Sequence, residues 1–270
     1  MPDRYSRLLP VSSHEKSAYS VARYAAIEAG EILKARFSLH NDVQVKGKRN
    51  LVTEADLLSE SKIIATIHDE FPGHAILSEE SGDNMIKSEY TWVIDPLDGT
   101  NNYHFGIPFF CVNIALARQG EVILGMTYDP MRNEMFHSVK GKGTYLNRKK
   151  VVVSDVEKLG DAAVGVDLGY VPECSTEMLA IAGKLWTQIH CLRLMGSSCL
   201  GLAYVASGRI SLYFHKYLYP WDLASGILLT REAGGKVVNF DGTPAGIKDR
   251  AIIASNSVLL DEFTRWLNAK

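Results

Sequence analysis

The segment from Trp92 to Asn101, with the sequence WVIDPLDGTN, constrains the fold of this chain more than any other stretch. Its first three residues are apolar and include β-branched side chains, and a short run of this kind is typical of a buried strand. Pro96 fixes the backbone φ angle and interrupts regular structure, so we expect Asp95 and Asp98 to project from one tight turn at the end of that strand. The segment therefore predicts a sheet with two acidic side chains at its edge.

Two carboxylates held this close together repel each other, and a hard divalent cation is the usual remedy. Gly99 lets the backbone approach a ligand closely, and the N–H groups beyond it can hold an anion. A metal site beside an anion site is the arrangement of a site that handles phosphate. Taken alone, however, the pattern D-P-x-D is more typical of an Asp-rich turn that ends a strand, so the rest of the chain has to decide.

Composition excludes several classes of protein. With 270 residues, the chain is long enough for one large domain or two small ones with a substantial core. A formal net charge of −2 argues against a general nucleic-acid-binding protein, and no apolar stretch approaches the length that spans a bilayer. The segment from Met1 to Arg4 lacks the apolar core of a signal peptide, and the four cysteines include no C-x-x-C pair. We therefore expect a cytoplasmic protein with reduced thiols.

Hydrophobic periodicity predicts a chain in which helices alternate with sheets, an α/β fold in the broad sense that includes α+β. In the first half we expect helices at 13–37 and 53–71, and strands at 43–46, 75–77, 92–94, 109–118, 121–128, 135–139 and 144–146. In the second half we expect helices at 175–187, 198–207, 222–234 and 259–267, and strands at 210–214, 236–240 and 251–254.

Three further acidic residues lie where predicted elements begin or end, which is where sites assemble. Glu79 follows the strand at 75–77, Asp56 lies in the first turn of the second helix, and Asp222 begins a later helix. Each also has an ordinary interpretation. Asp56 can be the capping partner of Thr53, Asp222 a favourable charge at the positive end of a helix, and Glu79 a solvated loop acid. The residues taken one at a time leave both interpretations open.

Together, four segments resemble the motifs of the inositol monophosphatase family of metal-dependent phosphatases. They are LVTEAD at 51–56, SEES at 78–81, WVIDPLDGTN at 92–101 and WDLASG at 221–226, followed by EAGG at 232–235. The segments occur in the family's order, and the resemblance covers nearly the whole chain from about residue 14. It implies a layered αβαβα sandwich of the sugar phosphatase type. An N-terminal half at about 1–150 would carry most metal ligands, and a C-terminal half at about 151–270 would carry Asp222 and the substrate loop.

The resemblance implies two Mg²⁺ ions in the active site, with a third bound more weakly. Glu79, Asp95 and the carbonyl of Leu97 would hold one ion. Asp95, Asp98 and Asp222 would hold a second, so that Asp95 bridges the two. Glu79 would help to bind the third through water. Carboxylates, a carbonyl and water are the oxygen ligands that Mg²⁺ prefers.

The resemblance also implies that Asp56, Thr100 and Glu79 are the catalytic residues. Asp56 and Thr100 would orient the attacking water and help to deprotonate it. The N–H groups of Gly99 and Thr100 would receive the phosphate oxygens. No Ser or Cys has an evident partner base, so we expect no covalent intermediate.

The substrate end of the pattern matches the family less well. By resemblance, the substrate-binding residues are Asp98, Gly196, Ser197, Ser198, His215 and Asp222. Inositol-selective members carry a Glu seven residues before the aspartate of the Trp-Asp pair, where this chain has His215. An imidazole can hydrogen-bond a hydroxyl or favour an acidic substrate, and a surface His after a strand is an equally good interpretation.

The function implied by the resemblance is Mg²⁺-dependent hydrolysis of a small phosphate monoester, with inositol 1-phosphate as the leading substrate. Fructose 1,6-bisphosphate, alone or in addition, is the main alternative, followed by histidinol phosphate and 3′-phosphoadenosine 5′-phosphate. Inhibition by lithium and a homodimer are implied as well. A different class of function is a regulatory protein that binds the transcription machinery, as some bacterial relatives are thought to do. The set of mutually repelling carboxylates argues against a purely non-catalytic role.

Overall fold

The computed structural model describes residues 8–37, 43–47 and 50–269. Within these ranges the helices are α1 (Ala18–Arg36), α2 (Glu54–Glu70), α3 (Thr100–His104), α4 (Pro172–Leu185), α5 (Ser198–Ala206), α6 (Pro220–Glu232) and α7 (Ser257–Asn268). The strands are β1 (Val43–Gly47), β2 (Asn50–Thr53), β3 (Ala75–Ser78), β4 (Gly82–Asp83), β5 (Tyr90–Asp98), β6 (Cys111–Arg118), β7 (Glu121–Asp129), β8 (Glu134–Val139), β9 (Thr144–Leu146), β10 (Lys149–Val151), β11 (Ala163–Val166), β12 (Cys191–Leu194), β13 (Leu212–Lys216), β14 (Lys236–Val238) and β15 (Ala251–Ser255).

These elements form five layers. An eight-stranded sheet has the strand order β10-β9-β8-β7-β6-β5-β3-β4, and a five-stranded sheet has the order β12-β11-β13-β15-β14. Helices α1 and α2 cover the outer face of the larger sheet, α5 and α6 lie between the sheets, and α4 and α7 cover the outer face of the smaller one. The predicted αβαβα sandwich is thus confirmed, since each sheet is covered on both faces.

Strand β6 shows why the centre of the larger sheet is a continuous apolar run. Val112 and Leu116 pack in the cluster that includes α1 and α2. Cys111 and Ala115 point to the opposite face, where they pack against α5 and α6. Because both faces are covered by helices, alternate positions along the strand are equally apolar.

Helix α6 is held close to the larger sheet. A Cβ atom at Gly125 on β7 would lie 3.0 Å from the Cα of Ser225, so only glycine allows this approach without a shift. The Oγ1 of Thr127 lies 3.0 Å from the Oγ of Ser225. The amide of Asn113 donates to the carbonyl of Trp221 at 2.7 Å. These contacts fix the first turn of α6 relative to β6 and β7.

Helix α1 begins later than periodicity predicts, at Ala18 with Ser17 as its N-cap instead of at residue 13. The preceding residues are bound to the end of α2. Glu70, which is buried there, accepts hydrogen bonds from the hydroxyl of Ser12 at 2.7 Å and from Lys16 at 2.5 Å. A tertiary contact of this kind overrides local helix propensity.

Strand β5 continues through Pro96 to Asp98, whereas we expected the proline to end it. Its pairing with β6 becomes irregular between Asp95, which pairs with Asn113, and Asp98, which pairs with Cys111. Two residues of β5, Pro96 and Leu97, therefore lie opposite one residue of β6, Val112, which is a bulge. Proline lacks the N–H group of a regular ladder position and is tolerated in sheets at such irregularities.

The strands β2, β4, β10, β11 and β12, each two to four residues long, were not predicted from the sequence. All four cysteines lie in the described ranges and none forms a disulfide. None of the helices within 8–37 and 50–269 is long and apolar enough to cross a bilayer.

Candidate active site

The acidic residues singled out in the sequence meet where strands of the larger sheet end and helices begin. β3 and β5 are parallel neighbours, so their carboxyl ends lie side by side. Glu79 directly follows β3, while Asp95 and Asp98 lie in the last part of β5. Asp222 lies in the first turn of α6. Carboxylate oxygens of Asp95, Asp98 and Asp222 all lie within 4.8 Å of one another.

The cluster is costly without a cation. Asp95 is 1% exposed, and burial together with the charges of Glu79, Asp98 and Asp222 raises the pKa of its carboxyl well above the usual range. Burial and the charge of Asp98 raise the pKa of Asp222 to about 7. An all-oxygen set of this charge fits a hard divalent cation, and Leu97 lines the same cavity.

Asp98 also joins the two halves of the chain. Its carboxylate accepts hydrogen bonds from the hydroxyl of Ser197, from the N–H of Ser198 at 3.2 Å and from the N–H of Cys199 at 2.9 Å. Burial raises the pKa of Asp98, and these hydrogen bonds partly offset the rise. The N-terminus of α5, from the C-terminal half, is therefore held by a carboxylate of the N-terminal half.

Asp56 combines two interactions. As the third residue of α2 it forms a capping box with Thr53, whose N–H donates to Oδ2 of Asp56 at 2.8 Å. Its other oxygen, Oδ1, accepts from the hydroxyl of Thr100 at 3.3 Å. Burial raises the pKa of Asp56 to about 6, although the bonds from Thr53 lower it. The capping interpretation is therefore confirmed, and the cap leaves Oδ1 of Asp56 directed at Thr100.

Gly99 lies between the acidic cluster and α3, with a φ angle of 95° in the left-handed region. A Cβ atom there would lie 3.1 Å from the carbonyl oxygens of Phe109 and Gly196. Only glycine therefore meets both the backbone conformation and the space. Helix α3 begins at Thr100, so its first N–H groups lie beside the carboxylates.

A cavity of about 340 Å³ extends from the acidic cluster toward the smaller sheet. The predicted loop residues Gly196, Ser197 and Ser198 line it, as does His215. His215 is only 5% exposed, so its interpretation as a surface residue is wrong. The remaining wall is rich in aromatic side chains, namely Tyr170, Tyr217, Tyr219 and Trp221.

Two positioning residues were missed in the sequence. Glu60 of α2 accepts hydrogen bonds from the hydroxyl of Ser78 and from the N–H groups of Glu80 and Ser81, and so holds the loop that carries Glu79. Its spacing of four from Asp56 places both carboxylates on one face of α2, which is a usable sequence signal.

Asn102 is the second of them. Its side-chain amide donates to the carbonyls of Phe109 at 2.8 Å and Met195 at 3.1 Å. It thereby connects α3 to the loop that begins at Gly196. No spacing in the sequence indicates this contact.

Asp167 was missed as well. It follows β11, lines the cavity and accepts a hydrogen bond from the N–H of Gly196 at 2.6 Å. Burial raises its pKa to about 7, although the bonds from Gly196 and Tyr213 lower it. An acid at the end of a short apolar run is the signal that identified Asp95, but the run at 163–166 contains a glycine and is only four residues long.

Comparison with known proteins adds independent evidence. A model of the inositol monophosphatase family matches residues 14–269. Nus factor SuhB of Salmonella typhimurium is 37% identical over 241 residues, which are 88% of this chain and 90% of that protein. Inositol monophosphatase 3 of Solanum lycopersicum is 35% identical over 258 residues, covering 92% and 95% of the two chains. The crystal structure of the extragenic suppressor protein suhB from Bartonella henselae has a TM-score of 0.88 and 33% identity, covering 92% of this chain and 96% of that one.

Proposed function

Because this chain belongs to the inositol monophosphatase family, we propose that it hydrolyses the phosphate monoester of a small polyol, with inositol 1-phosphate as the leading substrate. Family membership makes it a metal-dependent phosphomonoester hydrolase. The observation that carries the proposal is the convergence of Asp95, Asp98 and Asp222 on the wall of a cavity with room for a sugar-sized ring.

The residues present fit Mg²⁺ as the cofactor. Asp95, Asp98 and Asp222 would hold one ion, and Glu79, Asp95 and the carbonyl of Leu97 another, since all are oxygen donors. When bound, such ions neutralise the phosphate, lower the pKa of the attacking water and stabilise the leaving alkoxide. In the metal-free protein, the mutual repulsion of these carboxylates supports the same assignment.

Asp56 is the proposed proton acceptor. With a pKa of about 6, its carboxyl is mostly ionised at neutral pH yet basic enough to take up a proton. The hydroxyl of Thr100, 3.3 Å from Asp56, would orient the attacking water and pass a proton on to the carboxylate. The N–H groups of Gly99 and Thr100 would bind the phosphate oxygens.

A covalent intermediate is not expected. The hydroxyl of Ser197 donates to the carboxylate of Asp98, a proposed metal ligand that also accepts the N–H groups of Ser198 and Cys199 and is therefore a poor base for this hydroxyl. Burial raises the pKa of the Cys111 thiol to about 11 and that of the Cys199 thiol well above its usual value. These groups therefore stay protonated and are poor nucleophiles.

The test is phosphate release from inositol 1-phosphate, fructose 1,6-bisphosphate, histidinol phosphate and 3′-phosphoadenosine 5′-phosphate, with and without Mg²⁺. The Asp95→Asn variant serves as the control for a contaminating phosphatase. We expect Mg²⁺-dependent turnover, highest on inositol 1-phosphate and lost in the variant. Turnover that persists without Mg²⁺, or in the variant, would contradict the proposal. Inhibition by lithium is expected in the same assay.

We also propose that two copies of the chain form a dimer. Phe105, Ile107 and Leu194 are 73%, 49% and 59% exposed. Phe105 and Ile107 follow α3, whose Asn102 donates to the carbonyl of Met195, and Leu194 directly precedes Met195 at the end of the edge strand β12. An apolar patch beside a sheet edge favours association with a second copy. Sedimentation of wild type and of Phe105→Asp would test this, and a wild-type monomer at micromolar concentration would contradict it.

A second candidate function is a regulatory role in transcription, favoured by the similarity to Nus factor SuhB. The two functions are separable with Asp95→Asn expressed in a bacterial strain that lacks its own SuhB. Rescue of growth by the variant would favour the binding role, and rescue by the wild type alone would favour catalysis.

A further inference from the structure

Two tyrosine rings that the proposed reaction does not use lie at the opening of the cavity. Tyr170 and Tyr217 both line the cavity, and they are 42% and 43% exposed. They lie in the loops that follow β11 and β13, which are parallel neighbours in the smaller sheet. A Cβ atom added at Gly169 would lie 3.5 Å from the carbonyl oxygen of Lys216, so these loops run close together. Tyr170 and Tyr217, one residue further along each loop, are thereby brought to the same part of the cavity wall.

The backbone of Tyr217 supports a functional role for its ring. Its φ angle is 68°, in the left-handed region that bulky side chains rarely adopt. The flanking residues hold it there, since Lys216 is ion-paired to Glu177 at 2.6 Å and the N–H of Leu218 donates to the carbonyl of Arg250 at 3.0 Å. A side chain this exposed contributes little to a core, so packing does not explain the strained backbone. Strain of this kind is typical of residues that contact a ligand.

Tyr170 extends from the opening toward the acidic cluster. Burial and the charges of Glu79 and Asp222 raise the pKa of its hydroxyl, so this hydroxyl lies near the carboxylates while part of the ring stays exposed. The loop of Tyr170 is fixed by α4, where the hydroxyl of Ser175 donates to the carbonyl of Leu168 at 3.0 Å. A group that packs against Tyr170 would therefore be attached only a few bonds from the reacting phosphorus.

The faces of these two rings are open, in contrast to that of Tyr219 on the same wall. Tyr219 stacks on Trp221 with ring centroids 5.0 Å apart, and the guanidinium of Arg250 lies 4.3 Å from its centroid. Tyr170 and Tyr217 have no ring or cation partner of this kind among the described residues. Open aromatic faces beside a cavity are a platform on which a planar ring of a ligand can stack.

The charges around the cavity indicate that such a ring is uncharged. Of the described residues that line the cavity, none is Lys or Arg. A second phosphate or carboxylate on the substrate would therefore meet no cationic side chain on this wall. With metal ions bound, the acidic cluster offers little attraction for a cationic group, and the guanidinium of Arg250 beside Tyr219 repels one.

We propose that Tyr170 and Tyr217 form an aromatic subsite, and that the enzyme hydrolyses phosphate monoesters whose alcohol carries an uncharged planar ring close to the ester oxygen. This inference rests on the proposed function and adds a second class of substrate to the polyol phosphates. The reaction is the same: water adds to phosphorus, the bond from phosphorus to the ester oxygen breaks, and the alcohol leaves with a proton. The two tyrosines bind and orient the ring of the alcohol.

The test compares two substrates that differ only in their ring, benzyl phosphate and cyclohexylmethyl phosphate, whose ring is saturated. The measured quantity is the ratio of their kcat/KM values in the Mg²⁺-loaded enzyme. The wild type should favour benzyl phosphate about tenfold, as for one stacked ring. Tyr170→Leu and Tyr217→Asn should each lower the ratio about threefold, and the double variant should bring it close to one. Asn tolerates the left-handed backbone of residue 217, so this variant keeps the loop.

Three controls accompany these variants. Tyr217→Phe keeps the ring and should keep the ratio. Tyr24→Ala removes a ring that is 51% exposed on the outer helix α1, and it should leave the ratio unchanged. Phosphocholine tests for a cation in the subsite. If the wild type preferred phosphocholine and did not distinguish the other two substrates, the rings would bind a cation and the proposal would be overturned. Equal ratios in the wild type and the double variant would overturn it as well.

Calorimetry with phosphonates tests the subsite without any turnover. 2-Phenylethylphosphonate and 2-cyclohexylethylphosphonate have a CH₂ group in place of the ester oxygen and are not hydrolysed. We expect the wild type with Mg²⁺ to bind the phenyl compound more tightly, and the double variant to bind both equally. Equal affinities in the wild type would overturn this inference even if inositol 1-phosphate were hydrolysed. Tighter binding of the phenyl compound without hydrolysis of any phosphate monoester, in contrast, would support the subsite and overturn the proposed function.

Discussion

The two ends of the cavity are stabilised in opposite ways. At the acidic end, Asp95, Asp98 and Asp222 repel one another, and a bound cation would relieve this repulsion. At the histidine end, formed by Asp167, Tyr213 and His215, donors and acceptors satisfy one another, and only Nε2 of His215 has no partner among the described residues. If the acidic end carries the proposed reaction, the histidine end is left to shape the part of the cavity that faces the alcohol of the substrate. Changes at the acidic end should then affect all substrates alike.

The largest effect is expected for Asp95→Asn. Asp95 is the proposed bridging ligand, so its loss would remove several kcal/mol of charge stabilisation, and kcat/KM should fall about 10³-fold. The fall should be the same for inositol 1-phosphate and for cyclohexyl phosphate, which has the same ring without its hydroxyls. Circular dichroism should show a retained fold. Asp261→Asn, an exposed carboxylate on α7, is the matched control. If the loss of kcat/KM differed strongly between the two substrates, the acidic end would also select the substrate, and the two ends would not differ in this way.

Asp56→Asn should lower kcat about 10²-fold, since a general base of this kind contributes on the order of 10²–10⁴. In the wild type the rate should fall as the pH drops below about 6, because Asp56 must be ionised to accept a proton. The variant should lose this acid limb on both substrates. If the rate of the Asp56→Asn variant still fell at low pH, Asp56 would not be the proton acceptor.

Ser197→Ala should raise the Mg²⁺ concentration for half-maximal activity about tenfold, because it removes the hydroxyl that orients Asp98. The matched control is Ser207→Ala, at the other end of α5, whose hydroxyl bonds to carbonyls of its own helix. If the Mg²⁺ requirement were unchanged and the ratio of kcat/KM for the two substrates changed, Ser197 would act on substrate selection and not on metal binding.

The smallest expected effect is a change of a few degrees in the Tm of the metal-free protein with pH. The two ends of the cavity should contribute to this change with opposite signs. The pKa of Asp222 is raised from 3.8 to about 7, so the folded state holds a proton that the unfolded state releases, and this stability is lost as the pH rises through about 7. The pKa of His215 is lowered from 6.5 to about 3, so its stability is lost as the pH falls below 6.5.

Variants separate the two contributions. Asp222→Asn should reduce the loss of Tm as the pH rises from 3.8 to about 7, and His215→Leu should reduce the loss as the pH falls from 6.5 to about 3. The measurement is Tm against pH in the presence of EDTA. Equal pH profiles for wild type and both variants would contradict the opposite signs.

The two ends also differ in how far the sequence predicts them. Asp95 and Asp98 lie three residues apart on one strand, and Asp56 is placed by a capping box within one helical turn. Local patterns of this kind can be recognised in a single sequence. The hydrogen bond between Tyr213 and Asp167 joins residues 46 positions apart and depends on the parallel pairing of β11 with β13.

The secondary-structure elements that were not predicted also depend on contacts between distant residues. β11 and β12 are four residues long, and β12 lies at the edge of its sheet, so neither has enough residues to show a period. The long buried strands and helices were predicted because their apolar periodicity is set by covered faces. The bulge at Pro96 was not predicted, since it depends on the partner strand β6.

The close approach of Gly125 to Ser225 has a consequence for how the activity can be lost by mutation. A methyl group at Gly125 would meet the backbone of α6 at 3.0 Å, and a shift of that helix would carry Asp222 away from Asp95. Misplacement by about 1 Å can cost on the order of 100-fold in rate. Inactivating substitutions should therefore arise deep in the interior, in residues that never touch substrate, and a genetic screen for loss of activity would map the packing of the sandwich as clearly as its active site.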